Sequence, residues 1–116
     1  EIYQTVERFN DVEDSLVIGQ PWGNDERIIL FLKMKDQSLI SEELIKQIKK
    51  SIRESCSPRH IPAKIIAVAD IPYTINGKKV ELAVKQIIQN QNVINKDALV
   101  NPESLDYYRE LEELTI

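Results

Sequence analysis

The residues best suited to chemistry lie together in Pro72-Tyr-Thr-Ile-Asn-Gly-Lys-Lys-Val80, where a hydroxyl, an Asn-Gly pair and two adjacent lysines lead into a helical pattern. An Asn-Gly turn reverses the chain tightly and presents Lys78 at its tip. A long cationic side chain on such a turn suits stabilisation of the charge that builds on a phosphoryl or carboxylate group during reaction. On these residues alone, a plain surface turn whose lysines aid solubility accounts for the pattern more simply. A second candidate is Arg53, five residues before Pro58. Its planar fork suits a phosphate, and a solvated arginine on a helix face fits equally. Lys46, Lys49 and Lys50 beside it add attraction without specificity, and Arg59 and His60 read as surface bases. With one cysteine and one histidine, no metal cluster is in sight, and Cys56 reads as a small inert residue on the apolar side of a helix end.

The distribution of charge narrows the classes of partner. The 116 residues carry a formal net charge of −4, yet 46–85 holds nine bases against three acids, so this stretch is +6 and the remainder is −10. A basic middle in an acidic chain suits an anionic ligand or a solvated surface. The length corresponds to one ordinary domain, and 42% hydrophobic with 29% charged residues is a globular composition. A lone cysteine excludes an intrachain disulfide framework and agrees with a reducing, cytoplasmic setting. The longest apolar run, Ile28-Ile-Leu-Phe-Leu32, is far short of the roughly 20 residues that a membrane span needs. The chain opens in an amphipathic segment without an initiator methionine, as a piece of a longer protein would.

Several elements must position these residues. Ile2, Val6 and Phe9 share a helical face. The β-rich runs 15–20 and 27–35 are separated by Gln20-Pro-Trp-Gly-Asn-Asp-Glu26, whose Pro, Gly and Asn are turn residues, and read as an antiparallel hairpin, with Trp22 expected to cover the edge of the core. Ser41 is a suitable N-cap for a helix with Leu44, Ile45, Ile48 and Ile52 on its apolar side, and the helix must stop before Pro58. A third strand is expected over 64–70, and Val80, Ala83, Val84, Ile87 and Ile88 trace an amphipathic helix. Asn101 before Pro102 predicts a cap and a final acidic helix over 102–114. The expected fold is α+β: a small, mainly antiparallel three-stranded sheet flanked by helices, with a C-terminal helical extension.

The stretch Pro72-Tyr-Thr-Ile-Asn-Gly-Lys78 resembles the P-x-T-x-x-G-K motif of the adenylate-forming enzymes, which include acyl-CoA synthetases. The flanking Ser57-Pro-Arg-His-Ile-Pro-Ala63, 71–88 and Asn101-Pro-Glu-Ser-Leu-Asp106 are similar to the subgroup that activates acetoacetate. This resemblance implies that 1–92 form the mobile C-terminal lid of such an enzyme and that 93–116 form a subfamily extension. It implies a ligase of lipid metabolism that joins acetoacetate to CoA through an acyl-adenylate, with ATP and CoA as substrates and Mg2+ accompanying ATP. The remaining partner is an N-terminal adenylation domain of the same protein, carrying the hinge, the phosphate loop and the acid pocket, so the isolated chain is expected to be inactive. Lys78 takes the place of the adenylation lysine, with Thr74, Asn76 and Gly77 forming its loop, and Arg53 takes a place near the 3′-phosphate of CoA. Glu81 stands where many relatives carry arginine. Two other readings stay open: a free-standing nucleotide- or RNA-binding module using 46–85, and an interaction domain that uses its tail. The first is disfavoured because only Tyr73 interleaves an aromatic ring with the basic stretch, leaving no stacking platform.

Overall fold

A computed structural model describes residues 2–93 and 96–116. Glu1, Ile94 and Asn95 lie outside the described residues, the last two within the expected extension over 93–116. Helix α1 (Ile2–Val6) leads into strands β1 (Val12–Trp22) and β2 (Asp25–Met34), followed by helix α2 (Glu42–Ser55), strand β3 (Lys64–Ala67) and helix α3 (Glu81–Ile88). The strands form one sheet in the order β1-β2-β3, with β1 antiparallel and β3 parallel to β2. The expected α+β class and three-stranded sheet are therefore present, and α2 provides the crossover that a parallel pair requires.

The continuous apolar run of β2 reflects its central position. Ile29 and Phe31 enter one cluster with Leu16, Ile18, Val84, Ile87, Leu105 and Tyr108, whereas Leu30 and Leu32 enter another with Val6, Leu44, Ile48 and Ile52. Successive strand residues point to opposite faces, so a strand covered on both sides loses the usual polar alternation. The two-residue turn Gly23-Asn24 joins β1 to β2, and Gly23 takes φ +61°, a position where glycine is needed in a hairpin of the II′ kind. Ser41 caps α2 as expected, accepting from Leu44 N at 3.1 Å.

The third strand, expected over 64–70, stops at Ala67, and the expectations for Trp22 and the tail also change. Trp22 belongs to neither core cluster and is 41% exposed. The Arg27 guanidinium lies 3.6 Å from its ring centroid, so at the far end of the hairpin an arginine, rather than the core, takes the ring face. From Pro102 onward the tail forms two 3-10 stretches, Pro102–Tyr108 and Glu112–Thr115, instead of one helix over 102–114, and a short 3-10 turn, Lys96–Ala98, precedes them. Glu110, at φ +54°, interrupts them. Leu105, Tyr108, Leu111 and Leu114 recur every three residues, the period of a 3-10 helix, and all four join the core on the α3 side of the sheet.

Candidate functional site

The loop after β3 is a miniature hairpin. Tyr73 and Lys79 form an antiparallel bridge, Thr74 N donates to Lys78 O at 2.8 Å, and Gly77 N donates to Thr74 O at 2.9 Å. Ile75, Asn76 and Gly77 are thus a three-residue loop closed by a turn followed by one left-handed residue, and Gly77 takes that position at φ +83°. The Thr74 hydroxyl accepts from Lys78 N at 3.1 Å, completing the closure. The spacing of threonine, glycine and lysine therefore has a backbone reason: threonine closes the turn, glycine supplies the positive φ, and lysine leaves it. Asn76, Gly77 and Lys78 are exposed. Among the described residues, no carboxylate pairs with Lys78.

The tail holds this hairpin from outside. Thr74 bridges Leu99, Ile75 N donates to Ala98 O at 2.9 Å, and Val100 N donates to Tyr73 O at 2.9 Å. Asn101 makes no cap bond in Pro102–Tyr108, contrary to expectation. Its amide turns to the strand entering the loop, accepting from Tyr73 N at 3.0 Å and donating to Ile71 O and Asp70 Oδ2, each at 2.9 Å. Tyr108 donates to Asp70 O at 2.8 Å while its ring packs edge-on against Phe31 with centroids 4.8 Å apart. Burial, followed by the nearby Asp70 charge, pushes the Tyr108 phenol far above its ordinary pKa, so it remains a donor. Burial opposes ionisation of Asp70, but hydrogen bonds from Asn101, Lys33 and Ile71 N outweigh it and hold the carboxyl below its usual range.

Lys79, adjacent to the candidate lysine, has a different environment. Its ammonium lies 2.7 Å from Glu7 Oε2, 2.7 Å from Asp14 Oδ1 and 2.5 Å from Ser15 O, and 4.4 Å from the Tyr3 ring centroid. Burial works against its charge, but Asp14 and Glu7 more than compensate and raise its pKa above the ordinary lysine value. The same Asp14 accepts from the Tyr73 hydroxyl at 2.6 Å. Tyr3 donates to Glu81, and burial followed by that bond raises its pKa strongly. Glu81, in the first turn of α3, thus pairs with a phenol. A cleft of about 630 Å³ between α1, β1 and α3 includes Tyr3, Glu81, Leu82 and His60 in its walls, but none of Lys78, Thr74, Asn76, Gly77 or Arg53.

Arg53 is exposed in the last turn of α2, beside the exposed Lys46 and Lys50. Helix α2 covers the sheet face of Leu30 and Leu32, whereas Tyr73 packs with the cluster of Ile29 and Phe31. The structure brings Thr74, Asn76, Gly77 and Lys78 together and leaves Arg53 on the opposite layer. Lys79, Asp14, Glu7, Tyr3 and Asn101 were not legible as site residues, because their partners lie 28–78 residues away in sequence. The strict three-residue apolar spacing of the tail was a readable sign that residues near Asn101 dock onto the domain.

No family model matches the chain. It is 51% identical over 114 residues to the acetoacetyl-coenzyme A synthetase of Rhizobium meliloti (strain 1021), covering 98% of this chain and 18% of that protein. It is 54% identical over 115 residues to the acetoacetyl-CoA synthetase of Xenopus tropicalis, with 98% and 17% covered. The solved acetoacetyl-CoA synthetase of Streptomyces lividans superposes with a TM-score of 0.83 at 32% identity, over 99% of this chain and 18% of that one. A mixed sheet, helices on both faces and a glycine turn carrying an exposed lysine, matched to a small fraction of much longer ligases, define a C-terminal domain of the adenylate-forming acyl-CoA synthetase class. Within that class the chain belongs to the acetoacetyl-CoA synthetase family. It spans 17–18% of the length of these curated relatives.

Proposed function

We propose that the chain is the lid of a ligase that makes acetoacetyl-CoA from acetoacetate, ATP and CoA in the cytoplasm, and that Lys78 serves its first step. In that step a carboxylate oxygen attacks the α-phosphorus and pyrophosphate leaves with the electrons of the broken bond. The nucleophile is already ionised near neutral pH, so no general base is required. The obstacle is the approach of two anions, and a cation reaching both lowers the barrier as charge builds up. The supporting observation is the exposed Lys78 on a turn held by backbone bonds from Thr74 N, Ile75 N and Gly77 N and by the bond from Lys78 N to the Thr74 hydroxyl. Asn76 and Gly77 shape the loop that meets the nucleotide. Among the described residues, no three potential ligands gather to hold a metal, so in this reading Mg2+ rides on the triphosphate and the N-terminal domain supplies the rest of the site. Arg53 and its lysine neighbours face CoA in the second step, when the thiol displaces AMP. Placement on opposite layers of the sheet suits a lid that turns between the two half-reactions.

Lys78→Ala in the full-length protein tests this reading. Acetoacetate-dependent exchange of pyrophosphate into ATP should collapse, while thioester formation from supplied acetoacetyl-adenylate survives. Equal loss of both half-reactions would overturn the assignment.

A further inference from the structure

We propose that Lys79 is a positioning residue, which clamps the base of the turn to α1 and β1 and so aims Lys78 outward. This inference rests on the adenylation role proposed for Lys78 and concerns what holds that residue in place.

The geometry is that of a fully satisfied ammonium. An ammonium has three protons to donate, and Lys79 Nζ meets three acceptors: Glu7 Oε2, Asp14 Oδ1 and Ser15 O. Its side chain is only 19% exposed, and the Tyr3 ring covers one flank. Removing one member of such a cluster leaves partly buried carboxylates short of a donor, which a solvated surface lysine would not do. Asp14 is shared between the two arms of the hairpin. One carboxylate oxygen takes Lys79 on the leaving arm, and the other takes the Tyr73 hydroxyl on the entering arm at 2.6 Å. Tyr73 and Lys79 are themselves bridge partners, so one carboxylate pins both ends of the miniature hairpin to β1. In extended backbone, neighbouring side chains point to opposite sides. Drawing Lys79 inward therefore directs Lys78 away from the domain, where it meets no carboxylate among the described residues. Two adjacent lysines of identical chemistry thus acquire different tasks from their environment alone.

The test uses the full-length protein with Lys79→Met, which keeps the chain length and removes the charge. Misplacing a catalytic group by about 1 Å costs on the order of 100-fold. The expected results are a fall in kcat for pyrophosphate exchange of about tenfold or more with little change in KM for ATP, unaltered thioester formation from supplied acetoacetyl-adenylate, and faster amide hydrogen exchange over 74–78. Lys79→Arg, which keeps the charge, should recover part of the rate. In a Lys78→Ala background, Lys79→Met should cause no further loss, because there is no longer a lysine to aim. Equal loss in both half-reactions, additive loss in the double variant, or unchanged exchange over the loop would each overturn the clamp. If Lys78→Ala itself spares adenylation, the proposed function falls; if Lys78→Ala slows adenylation and Lys79→Met does not, the clamp alone falls.

Discussion

Replacing Gly77 by alanine tests the shape of the turn without adding a clash. Gly77 sits at φ +83°, and a Cβ built there meets no atom within 4 Å. Packing therefore contributes nothing to the effect, which reduces to the cost of placing an L-residue in left-handed backbone, about 1–2 kcal/mol. That cost changes the population of the native turn relative to alternatives by a factor of about 5–30. The turn is exposed, so the chain can take this cost by altering loop shape while both core clusters stay intact. Lys78 is the next residue, and its amide bond to Thr74 Oγ1 closes the turn, so its placement follows that population. Pyrophosphate exchange by full-length Gly77→Ala should fall by up to about 5–30-fold, with thioester formation from supplied acetoacetyl-adenylate unchanged. Asparagine tolerates left-handed backbone better than alanine, so Gly77→Asn should retain more activity. An alanine variant as fast as the parent, or an asparagine variant slower than the alanine one, would refute the reasoning.

Other outcomes follow from the tail and from the opposite layer. Tyr108→Phe keeps the edge-on contact with Phe31 but removes the donor to Asp70 O, and should cost about 1–3 kcal/mol in urea unfolding. Tyr108→Ala also empties a fully buried aromatic site and should cost about 3–5 kcal/mol by the same measurement. The carboxyl of Asp70 is held below its ordinary pKa, so its contribution to stability is present above the unfolded value near pH 4 and is lost as pH falls through the lowered one. Urea midpoints from pH 6 down to pH 2.5 should show that loss, and Asp70→Asn should flatten that part of the curve. Arg53→Ala in the full-length protein should raise KM for CoA in the thioester half-reaction and leave pyrophosphate exchange unchanged; an effect on exchange instead would remove Arg53 from the CoA face.

What could be read beforehand was local. The hairpin, the capped helix α2 and the turn before Lys78 announce themselves within a dozen residues, because periodicity, turn residues and caps act over that range. The packing of the tail was harder to see. Asn101-Pro102 fits a helix cap, and acidic residues fill the following turn, yet the apolar residues repeat every three positions and dock as 3-10 segments. Trp22 had no local signal for its partner, which is Arg27 across the hairpin. The division of labour between Lys78 and Lys79 was likewise invisible: the side chains are chemically identical, and Glu7 and Asp14 lie 72 and 65 residues from Lys79. Only the folded chain distinguishes them.

The lattice of bonds around the turn also sets an order in time. Its inner side is fastened to Glu7 and Asp14, which are made early, and its outer side to 98–101, which are made late. During synthesis the sheet and α2 can assemble as soon as β3 has emerged, but the turn receives its last ties only after the tail has left the ribosome. A nascent chain can therefore possess a folded sheet, with the inner side of the turn already fastened, before the outer side is tied.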